Sequence, residues 1–236
     1  MAHMKKIEIL GDSILKGIQL DPETERYVVR NEIDETGLAQ RWGLEIHNSS
    51  RFGCTAEKAA RLLDRMLERG LDCDAVVMDL GGNDCDFKWK EIAEHPELDH
   101  PPAFSVESFT DTYRSMVRRL KERGILPILT TLPPLEPRRF LDWWCRGADE
   151  DAVIAWMGGS VCNVYAHQEK YSRAVERLAA EEQVPLADIR GAFLEHNRLD
   201  QLICMDGTHP NSAGQRLITK TFDAFAAARL GGPAPL

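Results

Sequence analysis

No stretch of this chain approaches the ~18 consecutive apolar residues that a membrane span requires, so no integral contact with a bilayer is expected. Lys and Arg are scattered rather than run together, and the formal net charge is −9, which speaks against a nucleic-acid groove or an anionic membrane surface as the main partner. The six cysteines, at 54, 73, 85, 145, 162 and 204, form neither a C-x-x-C pair nor a Cys/His ligand spacing. Neither a zinc site nor a redox pair is therefore signalled, and the thiols read as small buried hydrophobes. No Pro/Gly/Ser-rich linker, repeat or low-complexity run divides the 236 residues. They read as one domain over 1–236, long enough to bury roughly 70–75% of its unfolded surface.

Met1-Ala2-His3 reads as a cloning remnant ahead of a natural start at Met4 and is left out of the fold argument. A cytoplasmic location is expected, with a signal peptide removed upstream as the alternative. One acidic, uniformly patterned chain specifies no oligomeric state. A small neutral or partly charged molecule fits this composition best as partner.

Apolar runs rich in Ile, Val and Leu occupy 7–10, 44–47, 75–80, 125–132 and 184–189 and read as buried strands. Helical stripes lie between them, at Ala59, Leu62, Leu63, Met66 and Leu67, and at Val106, Phe109, Tyr113, Met116, Val117 and Leu120. Further helices carry Tyr171, Ala174, Val175 and Leu178, and Leu217, Ile218, Phe222 and Phe225, the last opened by a Ser212/Gln215 capping box. A weaker helix is expected over 33–42. Strands alternating with amphipathic helices predict an α/β domain: a parallel sheet of about five strands between two helical layers. Two excursions, 85–104 and 133–163, break the alternation and carry Phe87, Trp89, Phe140, Trp143, Trp144 and Trp156. Long loops in compact domains are usually functional, so these are expected to form a substrate wall or lid.

Four polar motifs follow these strands: Gly11-Asp12-Ser13-Ile14, Gly53, Gly81-Gly82-Asn83-Asp84, and Asp206-Gly207-Thr208-His209 beyond the last one. Loops leaving the carboxyl ends of strands in an open α/β sheet converge on one crevice. Each motif alone has a bland reading: a helix cap for Asp12 or Ser13, a turn glycine for Gly53, an Asn-Asp turn at Asn83, and an Asx turn before a surface histidine at 206–209. Together they hold the parts of one reaction. Ser13 offers a hydroxyl, Asp206 can fix the tautomer of His209, and the Gly53 N–H and Asn83 amide can donate to an oxyanion.

In kind, order and span these blocks resemble those of the SGNH/GDSL hydrolase family, with Ile14 in place of a leucine and Cys54 where serine or threonine is common. The resemblance implies a flavodoxin-like three-layer α/β/α, doubly wound fold, Ser13 as nucleophile, His209 as base and Asp206 as its orienting partner. It implies an oxyanion hole of the Ser13 N–H, the Gly53 N–H and the Asn83 side chain, with no cofactor and no metal. Asp12 and Asp84 are expected to hold loops.

Three rivals are weighed. Gly158-Gly159-Ser160-Val161-Cys162 is an imperfect nucleophile elbow without the final glycine, and reads better as a turn before a helix. Asn83, Asp84, Asp206 and His209 could serve a metal-dependent phosphoesterase, but no D-x-H follows the first strand, and His95 and His100 lie in an excursion. A non-catalytic flavodoxin-like ligand-binding module would keep the crevice without the serine or histidine. The expected activity is hydrolysis of a small-molecule carboxylic ester through an acyl-enzyme on Ser13. A short acyl group is expected, such as O-acetyl on a carbohydrate, with Trp143, Trp144 and Arg138 as substrate contacts.

Overall fold

The computed structural model describes residues 4–196 and 198–231. A five-stranded parallel sheet is built from β1 (Lys6–Gly11), β4 (Glu45–Asn48), β5 (Ala75–Asp79), β6 (Leu126–Thr130) and β7 (Leu186–Ala187), with β2 (Ile18–Leu20) and β3 (Tyr27–Val29) forming a separate antiparallel pair. The sheet order is β4-β1-β5-β6-β7. Among the five parallel strands taken in chain order this is 2-1-3-4-5, the doubly wound flavodoxin-like order expected. Strand β1 stands at the reversal point, with Ile9 paired to Asn48 on one side and Gly11 to Asp79 on the other. The loops after β1, β4 and β5 therefore leave side by side at one edge of the sheet.

Alternating side chains on these strands feed two cores. Leu10, Val76, Met78 and Leu129 pack under α2 (Ala56–Glu68), α4 (Val106–Lys121) and α7 (Cys162–Glu182). On the other face Ile7, Ile9, Val77 and Ile128 meet Phe193 of α8 (Ile189–Glu195) and Ile218 of α9 (Ser212–Leu230), and Leu38 of α1 (Glu35–Trp42) is buried nearby. The predicted stripes on α2 and α4 are the buried ones. The Tyr113 hydroxyl adds a tie of 2.8 Å to the Met78 carbonyl.

Two local expectations are corrected, and one element is new. The last strand is only Leu186–Ala187, because Asp188 caps α8 by accepting from Gly191 N at 2.9 Å, and turns the backbone helical before Ile189. Helix α9 is capped by Asn211, which accepts from Ala213 N and Gly214 N at 2.9 and 3.1 Å. Gln215 instead reaches out of the helix to accept from Glu32 N at 2.7 Å. The β2–β3 hairpin was not read from the sequence: each strand has three residues, too few for a period-2 signal.

The two excursions contain helices and a core of their own. They hold α3 (Trp89–Glu94), α5 (Pro137–Trp144) and α6 (Glu150–Trp156), which share a third core of Trp89, Ile92, Phe140, Leu141, Val153 and Val164. Most of their aromatics thus serve a local core. Among the described residues no helix is long and apolar enough to cross a membrane.

Candidate active site

Gly11 ends β1, and the next three residues turn sharply. Asp12 Oδ1 accepts from Ile14 N at 2.8 Å, an Asx turn that fixes Ser13 at the sheet edge. Ser13 is buried to 7% exposure, and its Oγ lies 2.9 Å from Nε2 of His209, 196 residues away in sequence. His209 Nδ1 lies 2.6 Å from Asp206 Oδ2. Asp206 Oδ1 accepts from the N–H groups of Thr208 and His209 at 3.0 and 3.1 Å, so one carboxylate shapes the whole Asp206–His209 turn. Burial pushes the Asp206 carboxyl up, but its hydrogen bonds from the His209 ring and the two amides outweigh that, and it is held below the ordinary carboxylate range. A carboxylate on Nδ1 fixes the tautomer that leaves Nε2 as acceptor toward the serine.

Helix α5 holds this turn from behind. Glu136 N donates to Gly207 O at 2.9 Å, Arg139 donates to the carbonyls of Asp200 and Ile203 at 2.8 Å each, and Trp144 Nε1 donates to Thr208 Oγ1 at 3.3 Å. A Cβ on Gly207 would meet Glu136 O and Phe140 Cα at 2.6 Å, and Phe140 N as well. Gly207 has φ +69, so both backbone and space require glycine there.

Gly53 sits in the turn after β4 at φ +67, tied back by Arg51 N donating to Gly11 O at 3.0 Å. Among the described residues neither the Gly53 nor the Ser13 N–H meets a protein acceptor. Asn83 Nδ2 donates to Asp12 Oδ2 at 3.0 Å and to Cys54 O at 3.1 Å. The amide is thereby held between the Asp12 carboxylate and the Cys54 carbonyl. Asp84 grips the start of α2, both oxygens accepting from Ala56 N at 2.9 and 3.1 Å. Burial pushes its carboxyl up to about 7, against that hydrogen bond. Asp12 is raised by burial and by the neighbouring Asp79, itself pushed up to about 6 by burial. Asp12 and Asp84 thus hold loops.

A cavity of about 130 Å³ opens beside Ser13, Asn83 and His209 and is walled by Trp89, Phe140 and Trp144. None of its described lining residues is Lys or Arg, whereas Asp12, Asp79 and Asp86 all reach it. Of the expected substrate contacts, Trp144 borders this space. Trp143 does not: it lies edge-on to Tyr27, ring centroids 6.4 Å apart, beneath the Arg146 guanidinium. Arg138 is also misplaced by the expectation, because it pairs with Asp142 at 2.6 Å and with Glu150 at the exposed side of α5. An i, i+4 partner and a helix N-terminal acid claim its charge locally.

Ser160 Oγ accepts from Cys162 N at 3.3 Å on an exposed turn just ahead of α7, whose N-cap residue is Val161. Among the described residues no three His, Cys, Asp or Glu side chains gather as a cation-binding group, and the His100 ring nitrogen is engaged by the carbonyl of His95. Two neighbours of His209 escaped the sequence reading. The Phe52 ring stacks on the imidazole at 6.1 Å and 8°, and the Tyr27 ring tilts against it at 5.1 Å. Phe52 adjoins Gly53, a positional hint; Tyr27 had no signal.

The sequence profile of a GDSL-like lipase/acylhydrolase family matches residues 9–217. A search of curated proteins found no match. Among solved structures the chain is similar to a lipase/acylhydrolase from Enterococcus faecalis, at 20% identity and TM-score 0.64, covering 96% of this chain and 97% of that one. It is also similar to LAE5, an alpha/beta hydrolase enzyme from the metagenome of Lake Arreo, at 25% identity and TM-score 0.65 over 94% and 95% of the chains. A third is a variant of Axe2, an acetyl xylan esterase from Geobacillus stearothermophilus, at 21% identity and TM-score 0.64 over 98% and 97%.

Proposed function

Since the chain belongs to the GDSL-like lipase/acylhydrolase family, whose chemistry is ester hydrolysis, we propose that it cleaves a small carboxylic ester through a covalent acyl-enzyme on Ser13. The reading rests on one observation above all, the hydrogen-bonded line from Ser13 Oγ through the His209 ring to Asp206. Ser13 Oγ attacks the ester carbonyl as its proton passes to His209 Nε2, and the imidazolium is stabilised by Asp206. The oxyanion is met by the N–H groups of Ser13 and Gly53 and the amide of Asn83. Collapse expels the alcohol, which takes the proton from His209. Water then attacks the acyl-enzyme by the same route and releases the acid and free Ser13. These steps use only side chains and backbone of this chain.

The acyl group is short and the substrate uncharged or hydroxylated, with an O-acetyl group on a carbohydrate as the first candidate. A cavity of about 130 Å³ is close in size to one of roughly 150 Å³ that holds a single benzene, which suits an acetyl group better than a long chain. Its carboxyl-lined wall without Lys or Arg disfavours esters carrying phosphate or carboxylate. The acetyl xylan esterase activity named for Axe2 points the same way.

The test is a panel of acetylated sugars, p-nitrophenyl esters of rising chain length, and lysophospholipids, assayed with parent and Ser13→Ala. Short neutral esters are cleaved, and activity is lost with Ser13→Ala or a serine-directed phosphonate but survives chelation. A preference for long chains would overturn the acyl assignment. Full activity in Ser13→Ala would overturn the mechanism.

A further inference from the structure

The hairpin β2–β3 brings one side chain against the far side of the Asp206–His209 pair. Tyr27, from the first strand-to-helix crossover, packs its ring on the imidazole at 5.1 Å and on Phe52 at 5.4 Å. Its hydroxyl is buried beside the Asp206 carboxylate and the Trp143 indole, yet makes no hydrogen bond of good geometry to either. A buried hydroxyl without a partner is costly, and the neighbouring carboxylate has room for one. Asp206 Oδ1 already accepts from two amides, while Oδ2 accepts only from His209 Nδ1. Burial, the adjacent Asp206 charge and Asp206 as acceptor all push the Tyr27 phenol upward, so it is present as O–H, a donor.

The hairpin is also tied to the second excursion. Glu25, at its turn, pairs with Arg146 at 2.9 Å, and Arg146 lies over the Trp143 ring at 4.0 Å, so Trp143 is held edge-on to Tyr27. Among the described residues Cys204 also lies near Asp206, its thiol pushed up to about 11 by burial first and by the Asp206 charge as well.

We propose that Tyr27 is a positioning residue for the reaction: its hydroxyl donates to Asp206 Oδ2 in the working enzyme, and its ring with that of Phe52 clamps the His209 imidazole in line with Ser13. The inference rests on the serine-esterase reading. Trp143, expected from the sequence to meet substrate, instead backs this hydroxyl. Because the hydroxyl acts through a charged acceptor already in place, its removal affects turnover and not substrate affinity.

The test compares Tyr27→Phe, which keeps the ring, with Tyr27→Leu, in parent and Asp206→Asn backgrounds, on p-nitrophenyl acetate. Tyr27→Phe is expected to lower kcat about tenfold with KM unchanged and the unfolding midpoint within a few degrees of the parent. Tyr27→Leu is expected to lower kcat further. In the Asp206→Asn background Tyr27→Phe should cost nothing more, since the amide oxygen stays with the Thr208 and His209 N–H groups and the NH2 group, a donor, stands where Oδ2 accepted. Parent kcat in Tyr27→Phe, or an equal loss in both backgrounds, would overturn the proposal while leaving the serine mechanism standing. Parent activity in Ser13→Ala would overturn both.

Discussion

Gly207→Ala is the substitution that most directly tests how the Asp206–His209 turn is held. The added methyl would lie 2.6 Å from Glu136 O and from Phe140 Cα, both main-chain atoms of the α5 N-terminus that cannot swing aside. The residue also sits at φ +69, where a side chain costs about 1–2 kcal/mol. Forcing α5 away adds overpacking strain of about 1–3 kcal/mol. The sum is about 3 kcal/mol, and for a domain of this size Tm should fall by about 6–12 °C. Activity should suffer more than stability, because the clash moves the turn that carries Asp206 and His209, and a misplacement of about 1 Å can cost 10²-fold in rate. Gly53→Ala is the matched control: it has a similar φ of +67, but its methyl would meet nothing within 4 Å. Thermal unfolding of both variants separates the two terms, and kcat on p-nitrophenyl acetate is read for Gly207→Ala against the parent, since Gly53 belongs to the proposed oxyanion hole. A Gly207→Ala variant melting within about 2 °C of the parent at full rate would refute the packing of α5 on the turn.

Further outcomes follow from the same geometry. Asn83→Ala should lower kcat by about 10²–10³ with a small change in KM; an unchanged kcat would remove Asn83 from the oxyanion hole. Asp206→Asn should cost about 10⁴ in kcat by presenting the wrong histidine tautomer, checked by steady-state kinetics. Asp79 is held up to about 6 by burial, so it binds its proton more tightly in the folded chain than in the unfolded one. Its contribution is present at pH about 4 and lost as pH rises through 6. Asp79→Asn, a stand-in for the protonated acid, should therefore raise Tm at pH 8 and leave it near the parent at pH 4; equal shifts at both would contradict the raised carboxyl.

Much of this was legible because the signals are local. Strand runs such as 75–80 follow from continuous apolar stretches and the stripe on α4 from side-chain periodicity. Three of the four polar blocks follow β1, β4 and β5, whose exits topology sends to one edge, whereas Asp206–His209 lies beyond α8, in the turn before α9. What failed depended on competition between neighbours. Arg138 looked like a substrate contact until Asp142 and Glu150 took its charge, and the strand at 184–189 shortened because Asp188 was a better helix cap than a strand residue. Tyr27 stands in a strand of three residues, below the length at which alternation can be seen.

The amino-acid order alone determined the fold class and pointed to Ser13, Asn83, Asp206 and His209 as candidate site residues, since spacing, apolar period and turn residues act over a few positions. Only the tertiary structure decided that Ser13 and His209 close to 2.9 Å, that α5 abuts Gly207, and that Tyr27 rests on the imidazole. Those contacts join segments up to 196 residues apart, and packing in three dimensions, where each side chain excludes others from the same volume, leaves no trace in local pattern.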